Sequence, residues 1–397
     1  MELRTPDFST RAVHAGRADL GALGVHALPI DLSTTYPFTD LDAATASLDA
    51  FVEGDGTAPN PVYARLHNPT VARFETALAE LEAAEAAVAF GSGMAAMTAV
   101  LLAARQDGTH IVGVRPIYGT SDHLISSGLL GLDVTWTTAD TVADAIRPET
   151  ALVVIETPAN PTLALVDIEY VVAQAGDVPV LVDSTFATPV LQQPLAHGAA
   201  LVLHSATKFL GGHGDVVAGA VAGGEAWARR LRQVRVATGA LLHPLAGYLL
   251  HRGLTTLPLR VERAQATAAA LAARLVGRSG VRAVHYPGLP DGDPQGLVGR
   301  QLDGPGTMLA FEVEGGYDAA RAVVENVRLM TPAVSLGSVD TLIQHPAGLT
   351  HRVLSDGARA EGGIAPGLLR LSVGLESDAD LWADLAQAIA CVEAQVA

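Results

Sequence analysis

Between Ala86 and Gly224 the chain carries a series of short, uninterrupted apolar runs: AAVAF, HIVGVR, ALVVIET, VPVLVDST, ALVLHSAT and VVAGAVAGG. None alternates polar with apolar residues, as a strand with one wet face would, and none has the length of a helix. Helical stretches separate them, beginning after Thr70 with Val71, Phe74, Leu78 and Leu81 spaced along one face. Strands apolar on both sides must be covered on both sides, which restricts the chain to an α/β fold with a mostly parallel central sheet between helical layers. A length of 397 residues with 49% hydrophobic side chains supplies the core that such a fold needs.

The flanking regions read differently. Residues 1–65 scatter Gly and Pro through GALGVHALPI and EGDGTAPNPVY and predict an extended N-terminal arm without its own core. Residues 66–255 form the large domain that holds the apolar runs. Residues 256–397, with a long helix from about Leu254 to Leu275, the connection YPGLPDGDPQG and the strands MLAFEVE and LLRLSVGLE, predict a smaller C-terminal α+β domain. With 42 acidic against 25 basic residues and a net charge of −17, neither nucleic acid nor an anionic membrane surface is an expected partner. No apolar run has the length of a signal or a membrane span, so a cytoplasmic protein is expected. Cys391, the single cysteine, cannot close an internal disulfide; in the apolar-periodic helix LADLAQAIACVEAQV it reads as a packed thiol. No metal site is expected.

Three places carry chemistry. GSGMAA follows a strand and opens a helix, so that Gly91, Gly93 and Ala96 satisfy a G-x-G-x-x-A pattern with backbone amides offered to a phosphate. The next strand ends in Arg115 rather than an acid, which favours a simple phosphate ligand or NADP over NAD; a tight turn without a ligand is the plainer alternative. Asp183 ends the strand VPVLVD, where ligands of open α/β sheets bind, although Ser184 and Thr185 also allow a helix cap there. Finally, LVLHSATKFLGGHGD sets Ser205, Thr207 and Lys208 past another strand end. Lys208 is the only lysine in a chain whose other Lys/Arg positions are all arginine. An amine can lose its proton and attack a carbonyl, and a guanidinium cannot. A phosphate grip, an acid for a pyridinium nitrogen and an amine for an aldehyde together predict pyridoxal 5′-phosphate (PLP).

With these residues in place, the chain resembles the fold-type I PLP enzymes of Cys/Met metabolism (an aspartate aminotransferase-like fold). The shared motifs run in order through YARLHNPT, GSGMAA, IYGT, ETPANPT, VDSTFATP, HSATKFLGGHGD, PAVSLG, HPAGLTHR and LLRLSVGLE. The resemblance implies that Lys208 bonds the cofactor and moves protons at Cα and Cβ, that Asp183 pairs with the pyridinium nitrogen, and that Tyr118 stacks on the ring and handles a leaving-group proton. It further implies that Ser92, Gly93, Met94, Ser205 and Thr207 hold the phosphate, and that Tyr63 and Arg65 reach the phosphate of a neighbouring subunit. Arg370 becomes the clamp for the substrate carboxylate, assisted by Ser335 and by Asn160, which also lies beside the cofactor. A homo-oligomer follows, expected to be a tetramer with active sites shared between two chains.

Within that family the segment VSLGSVDTLIQHPAGLTH is most similar to methionine γ-lyase. Val334 stands where the cystathionine enzymes carry Glu, and an apolar neighbour suits a thioether. Thr120, a substrate-side position, replaces the Cys common in methionine γ-lyases, and Arg235 and Val236 replace their Lys-Asp. The expected reaction is α,γ-elimination on L-methionine or L-homocysteine, releasing thiol, ammonia and 2-oxobutanoate. The alternatives are cystathionine γ-synthase or γ-lyase activity, or γ-replacement on an O-acylhomoserine.

Overall fold

The computed structural model describes residues 6–350, 352, 357, 359 and 362–396. The first five residues of the expected arm, and His351 of HPAGLTHR, lie outside the described residues.

The apolar runs become strands of a seven-stranded sheet: β1 (Ala86–Phe90), β2 (His110–Val114), β3 (Asp133–Thr137), β4 (Thr150–Glu156), β5 (Val180–Asp183), β6 (Leu201–His204) and β7 (Gly219–Gly223), in the order β1-β7-β6-β5-β4-β2-β3. Successive side chains of one strand enter opposite cores, which is why these strands had to be apolar throughout. Val88 and Phe90 pack with Val100 of the helix Gly93–Ala104 and Leu231 of the helix Glu225–Thr238. Ala87 and Ala89 face the other way, against Phe74 and Leu78 of the helix Pro69–Leu81. On that second face, farther along the sheet, Val153, Ile155, Val180 and Val182 meet Ile168 and Val171 of the helix Ile168–Ala175.

The sheet is parallel from β3 to β6, whereas β7 runs antiparallel to both neighbours and carries β1 at the edge. A second sheet has the order β10-β11-β12-β9-β8, from β8 (Val281–His285), β9 (Met308–Val313), β10 (Thr331–Pro332), β11 (Leu342–Gln344) and β12 (Leu368–Ser372). Its core joins Phe311, Leu369 and Leu371 to Leu271 and Leu275 of the helix Leu257–Leu275 and to Leu381 and Leu385 of the helix Asp378–Val396.

One reading needs correction. The supposed extended arm contains helices, Phe8–His14 and Leu41–Val52, and buries Ala12 and Ala15 in the same core as Phe74. Its anchors are mostly alanines, too small to reveal a helical stripe against the Gly and Pro around them. The long helix expected from about Leu254 to Leu275 runs from Leu257 to Leu275; Pro258 stands in its first turn, a separate helix, Pro244–Leu254, precedes it, and Arg260 donates back to the Gly253 carbonyl at 2.7 Å. Among the described residues no helix is long and apolar enough to cross a membrane.

Candidate active site

Parallel strands deliver their C-terminal residues to one edge of the sheet, and here three neighbours do so together. Glu156 ends β4 and is the register partner of Asp183, which ends β5; Asp183 in turn pairs with Leu203 in β6, just before Ser205, Thr207 and Lys208. The helix Gly93–Ala104 starts at the same edge, and Ser92 caps it by accepting the Ala95 amide at 3.0 Å. Gly93 is obligatory by space: a Cβ there would stand 2.9 Å from Ser205 Cβ.

These residues line a cavity of about 500 Å³, whose other wall comes from the second sheet and the segment leading to it. Lys208 Nζ donates to Ser335 Oγ at 2.7 Å. Burial, reinforced by the positive charge of Arg370, pushes the amine down to about 8. Arg370, on β12, donates to Asn160 Oδ1 at 2.6 Å and to the Ser335 carbonyl at 2.8 Å. It is 3% exposed, and its Nε has no acceptor. Ser335 holds φ at +85°, a left-handed conformation costly for a residue with a Cβ. It is kept there by what it serves, Lys208 through its hydroxyl and Arg370 through its carbonyl. Gly337 lies against the chain of Lys208: a Cβ there would come within 2.5 Å of Phe209 N and 2.8 Å of the Lys208 carbonyl carbon.

Two buried carboxylates share the floor. Burial raises Asp183, opposed by the Thr185 hydroxyl at 2.6 Å and amide at 3.0 Å and by His204, whose Nε2 lies 2.5 Å from buried Glu82. Glu156 is pushed up to about 8 by burial first and by the charge of Asp183 second, although the amides of Tyr118 at 2.6 Å and Asn160 at 2.8 Å both donate to it. Side-by-side carboxylates with so little water disfavour a second negative charge.

Of the residues expected from sequence, Ser92, Gly93, Met94, Tyr118, Asn160, Asp183, Ser205, Thr207, Lys208, Val334, Ser335 and Arg370 all line this cavity. Thr207 does so with its hydroxyl engaged by Ala218, donating to the carbonyl at 3.0 Å and accepting from the amide at 2.9 Å. Thr120 does not belong to it. Exposed on the helix Gly119–Ser126, it borders a separate depression with Thr98 and His123, because the helix starting at Gly119 turns it away from Tyr118. Tyr63 and Arg65 also stand outside the cavity within one chain. Arg65 donates to the Val236 carbonyl at 2.9 Å, and its guanidinium lies 5.6 Å from the Tyr63 ring. Arg235 is buried in an ion pair with Glu75.

The sequence matches the family of Cys/Met metabolism PLP-dependent enzymes over residues 9–390. The chain belongs to that family. L-methionine gamma-lyases of Brevibacterium sandarakinum and Streptomyces avermitilis are each 58% identical to it, the first over 96% of both chains, the second over 95% of this chain and 88% of that one. Among solved structures, the cystathionine gamma synthase of Xanthomonas oryzae pv. oryzae, in complex with aminoacrylate and cysteine, has a TM-score of 0.90 and 38% identity, covering 98% of this chain and 100% of that one. The cystathionine gamma-lyase of Lactobacillus plantarum, complexed with L-serine, gives 0.89 and 33% over 98% and 100%.

The cavity suits the family's cofactor. It offers an amine pushed down to about 8, a carboxylate at a strand end, and a cradle at Gly93 that a single Cβ would fill. The amides of a first helical turn have no intrahelical acceptor and are available to a phosphate. Sequence reasoning missed Glu156, Thr185 and Phe186, which also line the cavity. All three lie inside the motifs ETPANPT and VDSTFATP, so the motifs marked the place and not the residues.

Proposed function

We propose that this PLP-dependent enzyme is a carbon–sulfur lyase that carries out α,γ-elimination on L-methionine or L-homocysteine, consuming one water and giving a thiol (from homocysteine, hydrogen sulfide), ammonia and 2-oxobutanoate. The observation that carries the reading is the mouth of the cavity. Exposed Val217, Val334 and Leu349, with buried Leu336, form an apolar rim above a charged floor, which suits an amino acid whose distal end is a thioether or thiol. The 58% identity to L-methionine gamma-lyases supports the same substrate class.

When bound, PLP supplies an electron sink for a carbanion. The protein supplies everything that orients and moves protons. Asp183 would pair with the ring nitrogen, the Gly93 and Met94 amides with Ser92, Ser205 and Thr207 would hold the phosphate, and Tyr118 would cover the ring. Arg370, held by Asn160 and Ser335, receives the substrate carboxylate, and its unpartnered Nε adds a donor. Lys208, whose amine burial pushes down to about 8, would take the proton from Cα and return one farther along the chain, and Ser335 Oγ accepts a hydrogen bond from that amine. Tyr118 hands a proton to the departing sulfur.

The site is shared in an oligomer, a tetramer of two such dimers, with Tyr63 and Arg65 of one chain serving the phosphate in the next. Their position outside the cavity of their own chain supports this. The second reading, γ-replacement on an O-acylhomoserine, draws on the likeness to cystathionine gamma synthase. Release of 2-oxobutanoate from methionine, homocysteine, cystathionine and O-acetylhomoserine, with and without cysteine, separates the two. Turnover of O-acetylhomoserine and cysteine with none of methionine or homocysteine would replace the lyase reading.

A further inference from the structure

Glu156 sits among the reacting groups, yet nothing in the elimination itself calls for it. Its buried carboxylate accepts two backbone amides from two different segments, Tyr118 N on Oε2 at 2.6 Å and Asn160 N on Oε1 at 2.8 Å. One segment leads into the helix Gly119–Ser126 and aims the Tyr118 ring. The other carries the Asn160 side chain, whose Oδ1 holds Arg370 at 2.6 Å. Each oxygen serves a different loop, so the carboxylate is a tie between them.

We propose that Glu156 is a positioning residue that fixes the stacking tyrosine and the carboxylate-binding arginine relative to each other, acting on Arg370 through Asn160. An isolated buried acid would be costly, and a neutral apolar side chain would pack as well on a strand end; a two-acceptor side chain is what two converging N–H groups require. Glutamine keeps the shape but offers one oxygen, and its NH₂ would confront the second amide. The proposal rests on the family's amino-acid chemistry and is tested so that the choice of methionine does not enter.

The probe is glycine, which has the α-amino and α-carboxylate groups but no γ carbon. Its binding is followed through the visible spectrum of the PLP-loaded protein. Glu156→Gln should weaken glycine binding by about tenfold, the equivalent of one charged hydrogen bond mispositioned. Asn160→Ala should weaken it comparably, and the double variant should be little worse than Asn160→Ala alone, since the two changes interrupt one chain of contacts. Losses that multiply, or glycine affinity unchanged in Glu156→Gln, would overturn the proposal. If Glu156→Gln does not fold, Glu156→Asp takes its place, keeping the carboxyl group with reach for one amide. Weakened glycine binding in that variant supports the tie, and wild-type binding, or failure of both variants to hold cofactor, assigns Glu156 a structural role only. Absence of both methionine and homocysteine turnover in the wild-type protein would sink the lyase reading and leave this result standing.

Discussion

The depressed proton affinity of Lys208 can be turned into a rate. A lysine amine with its ordinary value of 10.5 is neutral at pH 7 in about 0.03% of molecules, whereas one at about 8 is neutral in about 9%, a gain of about 300-fold in the form that attacks an aldehyde. Mixing apoprotein with PLP over a range of pH and following the visible absorbance should therefore give a capture rate that rises to a midpoint near 8 and levels off above it. Burial is the larger cause and Arg370 the smaller, so Arg370→Met should raise the midpoint by less than half of the depression. The same shift bears on stability. The folded state disfavours the charged amine, so the apoprotein gains stability as pH rises from about 8 to 10.5 and lacks that gain at neutral pH. Lys208→Met should thus stabilise the apoprotein at pH 7 by up to about 3 kcal/mol, less the hydrogen bond to Ser335, as read by denaturant titration. A capture midpoint at the free-amine value, or a Lys208→Met apoprotein less stable than the parent at pH 7, would refute the reasoning.

Val334→Glu should shift the ratio of specificity constants from methionine towards cystathionine. Because Val334 is 53% exposed, the effect should sit near the lower end of the range for an ill-matched polar group, about 1 kcal/mol; an unmoved ratio removes Val334 as a selector. Co-refolding inactive Lys208→Ala with Arg65→Ala chains should return about a quarter of wild-type activity, since half the dimers mix and each of those has one intact site. Recovery no greater than the sum of the two variants, with mixing verified by tags, would mean that Arg65 serves its own chain. Gly93→Ala forces a methyl to within 2.9 Å of Ser205 Cβ and, at about 1 to 3 kcal/mol for overpacking, should weaken PLP binding about tenfold or more by spectral titration. Unchanged affinity would show that the phosphate cradle lies elsewhere.

How much was legible depended on burial. Strands such as AAVAF and ALVVIE lie in the sheet with every residue buried, so their composition alone revealed them. DVTWT became β3 without that signal, because it is an edge strand only partly covered and polar where it meets water. VRAVH, the edge strand β8, was hidden for the same reason. Lys208 and Asp183 could be found because an amine and an acid at strand ends are costly without a purpose. Glu156 ends a strand in the same way, but its meaning depends on two amides, one 38 residues earlier in the chain, that only the folded loops bring to it. Thr120 failed conversely: its motif was right, and the direction in which the helix turns it cannot be read from spacing.

Lys208, Asp183 and Glu156 hang from one sheet, while Arg370 comes from the other and Ser335 from the segment between β10 and β11. The side-chain bonds Lys208–Ser335 and Arg370–Asn160 bridge these parts. In the proposed roles, most of the electronic work and most of the molecular recognition thereby fall to separate stretches of sequence. A lineage can rewrite residues 330 to 370 to admit a new amino acid while the chemistry-bearing strand ends stay untouched, and a protein engineer can exchange the same stretch as a cassette, provided that the left-handed serine and its two bonds travel with it.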